Sequence, residues 1–306
     1  MERSSHLLVM LLVLFAGRSV LAQVTGQNSL DRIKQVAKGA VLSKISGQFS
    51  FTEGPAVNKK GDVYFTDQPN DKIWKYDVKG NLSLFMDSTG RSNGLYFDRQ
   101  GNLLACADEK GELWSISPAG EKKVLLDNYG GKQLNGPNDL WIDPKGGIYF
   151  TDPYYQRDYW KRKQPAQDGM KVYYLPRNAK QARVVEDELV RPNGIVGTPD
   201  GRTLYVADIQ ADKTYRYKIG EDGKLDGKEL FVPQGSDGIT LDDQGNLYLT
   251  GSGVTIYNKE GVKIGHIPVP SKWVGNICFG GKKRNILFIT ASESVYTLKM
   301  SVRGVE

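Results

Sequence analysis

Glu53, Asn93, Asn138, Asn193, Asp237 and Asn276 are the residues whose types and spacing could do chemistry. Each sits in a short motif with glycine or proline beside it: "TEGP", "SNG", "GPND", "RPNG", "SDG" and "VGN". Each is followed, 14 or 15 residues on, by Asp67, Asp108, Asp152, Asp208, Gly251 and Ala291 in turn. All six openers carry an oxygen acceptor, and none offers sulfur or imidazole. If they converge, two carboxylates and several amide carbonyls make a hard-oxygen set. Such a set suits Ca²⁺ better than zinc or copper, with Mg²⁺ and Mn²⁺ as competitors.

Convergence requires a repeat, and the chain has one. Six segments share one grammar: "FTEGPAVNKKGDVYFTD", "RSNGLYFDRQGNLLACAD", "LNGPNDLWIDPKGGIYFTD", "RPNGIVGTPDGRTLYVAD", "GSDGITLDDQGNLYLTG" and "VGNICFGGKKRNILFITA". Measured between the polar openers they step by 40, 45, 55, 44 and 39 residues, the length of a four-stranded propeller blade. The sixth has only "SVYTLKM" after it, one strand short. "GAVLSKIS", ahead of the first repeat, can supply the missing outer strand and so remove an open edge. The expected fold is all-β, a six-bladed β-propeller over residues 36–301 with an N-terminal strand closing the last blade. Residues 23–35 form an N-terminal arm, with a short helix or loose coil expected at "NSLDRIKQVA".

In that fold the innermost strand of each blade lines the central channel, and its start lies at one mouth. The openers then form a ring around one axis. Strand alternation turns Asn138 inward and sends Asp139 to the other side, where a structural role is expected. Asp67, Asp108, Asp152 and Asp208 are expected to bond backbone amides in the turns that follow them.

Composition narrows the partners. Among 306 residues, 35 glycines and 16 tyrosines favour short strands and tight turns over long helices. The net charge of +6 is scattered, so no nucleic-acid footprint is expected. Residues 1–22 have a charged start, an apolar run from Leu7 to Ala16 and a small-residue ending at Ala22, the shape of a secretory signal peptide. The mature protein is therefore expected to be exported, periplasmic or secreted, with no membrane partner after cleavage. Cys106 and Cys278 fall in apolar runs of different repeats, so buried free thiols are expected rather than a disulfide.

"FTEGP", "NGPNDL", "YFTDP", "RPNG" and "SDG" followed by "GNLYLT", as an ordered set spanning nearly the whole mature chain, resemble the SMP-30/gluconolactonase/LRE family, in its gluconolactonase group. The resemblance implies hydrolysis of a small-molecule sugar lactone such as gluconolactone. It also implies a Ca²⁺ cofactor, or another divalent cation such as Mg²⁺, Mn²⁺ or Zn²⁺. The family's metal site maps onto Glu53, Asn193 and Asp237, with Asn138 as a further metal or substrate contact. Paraoxonases, related propellers, use histidine near the metal. Here His6 lies in the signal and His266 in "KIGHIPVP", away from any blade opening, which favours the sugar-lactonase branch.

A lactone needs its carbonyl polarised, a water activated and the oxyanion stabilised, and a channel cation serves the first and third. Asp237 is the candidate base, and Glu53, stiffened by Pro55, is assigned to metal holding. Substrate contacts are expected from Arg91, Asn93, Asn138 and Tyr154. Tyr154 belongs to the insertion 154–168, where Tyr155, Arg157, Trp160 and Lys161 also stand as lid candidates. Two readings compete with the lactonase. One is a metal-dependent esterase or phosphotriesterase on the same site; the other is a non-catalytic Ca²⁺-plugged propeller binding a glycan or protein.

Overall fold

A computed structural model describes residues 30–305. Residues 1–29, which hold the expected signal peptide, most of the expected arm and His6, lie outside them. Six four-stranded antiparallel sheets account for nearly all the regular structure. Their innermost strands are Thr52–Val57, Ser92–Phe97, Leu140–Ile142, Pro192–Gly197, Ile239–Leu241 and Asn276–Gly280. These define blades 1 to 6 in chain order, the expected six-bladed propeller.

Closure is as the repeat arithmetic requires. Ser43–Ser46 pairs antiparallel with Ser294–Lys299 as the outer strand of blade 6, in register Ser43↔Thr297 and Lys44↔Tyr296. From Asp31 onward the described segment ahead of it is mostly turns. Leu30, Ile33 and Val36 are buried against Tyr248, Ile256 and Met300 of the last two blades. The other terminus is tied down as well, through a bridge between Gly304 and Asp242.

The core is divided among the blade interfaces. Five apolar clusters fill the spaces between neighbouring sheets, with Phe65, Phe150, Tyr173, Phe279 and Phe288 almost wholly out of water. Burying an aromatic or aliphatic side chain of this size stabilises by about 1.5–3 kcal/mol, so blade stacking is the main adhesive. Cys106 and Cys278 belong to two different clusters, both as buried free thiols.

Close to the axis the blades touch through glycine. A Cβ on Gly54 would lie 2.1 Å from the Asn93 carbonyl oxygen, and one on Gly94 2.6 Å from that of Asn138. On Gly194 it would meet the Asp237 carbonyl at 2.4 Å, and on Gly238 the Asn276 side chain at 2.0 Å. In blades 1, 2, 4 and 5 the glycine after the polar opener is therefore what lets the next blade's opener approach. Backbone bonds such as Gly94 N–H to the Asn138 carbonyl (2.7 Å) use that proximity.

Candidate active site

The polar openers sit where the ladder is broken. In blades 1, 2 and 4 the inner-strand register shifts between Glu53 and Ala56, Ser92 and Leu95, and Pro192 and Ile195. Such bulges re-aim the side chains they contain. In blades 3 and 5 the inner strand begins only at Leu140 and Ile239, after Asn138, Asp139 and Asp237. Strand alternation therefore does not govern these residues, which corrects the expectation for Asp139. Its carboxylate faces the channel: Asn276 Nδ2 of blade 6 donates to Asp139 Oδ2 at 3.4 Å, and Glu53 of blade 1 feels its charge.

Three carboxylates thus share the axis. Burial, then the charge of Asp237 and that of Asp139, push the Glu53 carboxyl well above the usual carboxylate range, although Gly54 N–H donates to its Oε2 at 3.0 Å. Asp237 is pushed up by burial to about 6, while hydrogen bonds from Trp273 and Asn193 and the Arg157 charge act the other way. The Trp273 indole Nε1 lies 2.6 Å from Asp237 Oδ2 and fixes the carboxylate plane. Asp237 keeps some exposure to solvent, so water can reach it.

Asn193 is 2 % exposed and donates from Nδ2 to the Tyr155 hydroxyl at 2.9 Å. Asn138 is only 6 % exposed, yet its side chain makes no hydrogen bond to another described residue. The Asn93 side chain, on the same ring, is buried beside it, and the Asn93 carbonyl accepts from Thr66 Oγ1 at 3.0 Å.

This donor set fits a divalent cation. Glu53 and Asp237 repel one another across a buried channel, and Arg157, the cation that opposes them, is committed to Asp108. Asn138 has an amide oxygen to spare. Among the described residues no group of three or more His, Cys, Asp or Glu side chains is arranged to hold a metal. A cation here would therefore draw on Asn138 and Asn193 as well as on Glu53 and Asp237.

The 154–168 insertion folds over the mouth and is anchored by Asp108. Arg157 Nε donates to Asp108 Oδ2 at 2.9 Å, the Tyr159 hydroxyl donates to the same oxygen, and Gln68 Nε2 lies 3.3 Å away. Asp67, Asp152 and Asp208 behave differently. Each accepts from backbone amides of the loop entering its blade, at Ser50 and Phe51, Asn135 and Gly136, and Val190 and Arg191. In the following turn Asp208 also accepts from the Ala211 amide, and Asp67 from the Asn70 side chain. Asp108→Asn leaves Arg157 without a counter-charge in a water-poor place, so the variant is expected to lose about 3 kcal/mol in urea unfolding. Limited proteolysis should then cut within 154–168. Wild-type stability and an intact insertion would mean the anchor lies elsewhere.

The sequence-derived substrate candidates divide. Asn93 and Asn138 are on the ring. Tyr154 stacks on Trp160 (5.9 Å between centroids) under Arg162, with its hydroxyl on Gln156. It is Tyr155, one residue on, that reaches Asn193. Arg91, held at φ 50° by Asp71 accepting from its N–H, donates from a guanidinium nitrogen to the Pro69 carbonyl at 2.6 Å and lies over Tyr159, so it braces the insertion. Trp273 was not indicated by its sequence position; an aromatic three residues before the Asn276 opener is the one signal available. His266 lies on the outer strand of blade 5 against Thr255, away from the ring. An open groove of about 800 Å³ lies between blades 2 and 3 and is lined by residues such as Leu104, Leu126, Ile142 and Arg177, sharing none with the ring.

The fold and site together define a closed six-bladed propeller with an oxygen-rich ring of side chains at one mouth. Residues 51–293 match the SMP-30/gluconolactonase/LRE-like region, and the chain belongs to that family. A gluconolactonase of Zymomonas mobilis is 28% identical over 90% of this chain and 85% of its own length. A pentonolactonase of Haloferax volcanii is 24% identical over 78% of this chain and 81% of its own. The solved structure of a gluconolactonase from Xanthomonas campestris superimposes with a TM-score of 0.82 at 27% identity, covering 88% of this chain and 94% of the other.

Proposed function

We propose that this protein is a divalent-cation-dependent lactonase that opens sugar lactones such as gluconolactone to the aldonic acid. The observation that carries the reading is the geometry at Asp237: a partly exposed carboxylate fixed by Trp273 and raised to about 6 by burial, on the ring with Glu53 and Asn193. Relatives named gluconolactonase and pentonolactonase agree with it in substrate class.

Glu53, Asn138, Asn193 and Asp237 would hold the cation, with Ca²⁺ preferred for an all-oxygen set of this kind. When bound, it supplies Lewis-acid polarisation of the lactone carbonyl and charge stabilisation of the oxyanion. Asp237 takes the proton of the attacking water, and the Trp273 indole keeps the carboxylate oriented for that transfer. The ring oxygen leaves as the hydroxyl of the opened acid, receiving a proton in turn. Asn93 lies on the ring where it can orient substrate hydroxyls, and the insertion over the mouth limits water access.

We further propose that the mature chain begins at Gln23 and works outside the cytoplasm; the charged start, apolar run and small-residue ending of residues 1–22 support this. No helix among the described residues is long and apolar enough to cross a membrane.

Acid release from glucono-1,5-lactone, followed with a pH indicator after subtraction of spontaneous hydrolysis, tests the activity. Metal-stripped protein should match background, and Ca²⁺-loaded protein should exceed it many-fold. Background rates with Ca²⁺, Mg²⁺ and Mn²⁺ alike, on both six-carbon and five-carbon sugar lactones, would overturn the reading.

A further inference from the structure

Asn193 can serve a cation only if its amide oxygen, not its nitrogen, faces the channel. One neighbour decides this. The Tyr155 hydroxyl accepts from Asn193 Nδ2 at 2.9 Å. The nitrogen is thereby turned to the insertion, and Oδ1 is the atom left for the channel.

Tyr155 is itself held. Its ring lies between two guanidinium groups, Arg157 at 5.4 Å and Arg191 at 4.9 Å from the centroid. Arg157 is in turn fixed by Asp108 of blade 2. A chain of contacts therefore runs from Asp108 through Arg157 and Tyr155 to Asn193, joining blade 2, the blade 3 insertion and blade 4.

We propose that Tyr155 is a positioning residue for Asn193, holding its amide so that Oδ1 faces the channel, and that the insertion thereby sets the affinity of the site for a divalent cation. This rests on the divalent-cation reading of the channel. Without the Tyr155 hydroxyl Asn193 loses this single hydrogen bond, so the effect expected is one neutral hydrogen bond's worth of lost order.

Calorimetric titration of the metal-free full-length mature protein with CaCl₂ tests it. Tyr155→Phe should weaken Ca²⁺ binding about threefold to tenfold while the Tm of the metal-free protein changes little. Tyr154→Phe removes a hydroxyl from the same insertion that touches Gln156 instead, and should leave Ca²⁺ affinity at the wild-type value. Tyr155→Gln, whose carbonyl can accept the same hydrogen, should recover part of the loss, and is read in place of Y155F if that variant does not fold. Equal affinities in wild type and Y155F would overturn the positioning role while leaving the cation site intact. Equal losses in Y155F and Y154F would also overturn it, assigning the effect to the packing of the insertion. Wild-type protein that binds neither Ca²⁺, Mg²⁺ nor Mn²⁺ would overturn the channel reading and this inference together.

Discussion

Asp237→Asn at saturating Ca²⁺ is expected to lower kcat for a sugar lactone by about 10³-fold, within the range for losing a general base, with the fold unchanged. Asparagine is nearly isosteric and can still accept from the Trp273 indole through Oδ1, so the local geometry survives. What it cannot do is take a proton from water. The wild-type pH profile carries the same signature. Burial raises the Asp237 carboxyl to about 6, so the base form is present above that pH and is lost below it; kcat/KM should fall on the acid side. A bound cation favours the carboxylate and moves that limb to lower pH. In D237N the limb should vanish along with most of the rate. A variant that keeps a tenth or more of wild-type turnover would move the base elsewhere, Asp139 being the next carboxylate on the axis.

The repeat register was legible because it rests on backbone demands. A hairpin-rich blade needs its turns, its apolar strands and its glycine contacts at fixed intervals, and each leaves a mark on the sequence. The closing strand was legible for the same reason, as a deficit of one strand at one end and a surplus at the other. The ring residues followed once the register was known. Asp139 was misread because the period of two applies only inside a strand, and blade 3's inner strand starts at Leu140. Asp108 looked like Asp67, Asp152 and Asp208, but its partners, Arg157 and Tyr159, come from an insertion whose path no periodicity describes. The exchange of Tyr154 for Tyr155 at the site has the same origin. Trp273 reaches Asp237 over 36 residues of chain, a tertiary contact that its place three residues before the Asn276 opener does not specify.

Glu53→Gln is expected to separate the stability of the metal-free protein from its affinity for metal, in opposite directions. The folded-state Glu53 carboxyl lies well above its unfolded value. Between those two values the folded protein holds a proton that the unfolded chain has released, so this group's contribution is present at low pH and is lost as pH rises through the folded value. At pH 7.5 the metal-free wild type therefore keeps either a buried proton or a repelled charge at a cost in stability. Glutamine removes that cost, so metal-free E53Q should be the more stable of the two, with a Tm higher by roughly a few degrees. Near pH 3, below the ordinary glutamate value, Glu53 is protonated in both states and the difference should close. Asp152, raised to about 7 by burial against hydrogen bonds from Gly136 and Asn135, has the same sign, and His266, lowered by burial, the opposite one. Both are common to wild type and variant, so the difference between the two melting curves reports Glu53 together with its repulsion of Asp237. Calcium should invert the order: one fewer ligand charge lowers affinity by about 100-fold or more, so added Ca²⁺ stabilises wild type and barely moves E53Q. A metal-free E53Q less stable than wild type at pH 7.5 would mean that the protein already satisfies this carboxylate, and that the ring has no need of a cation.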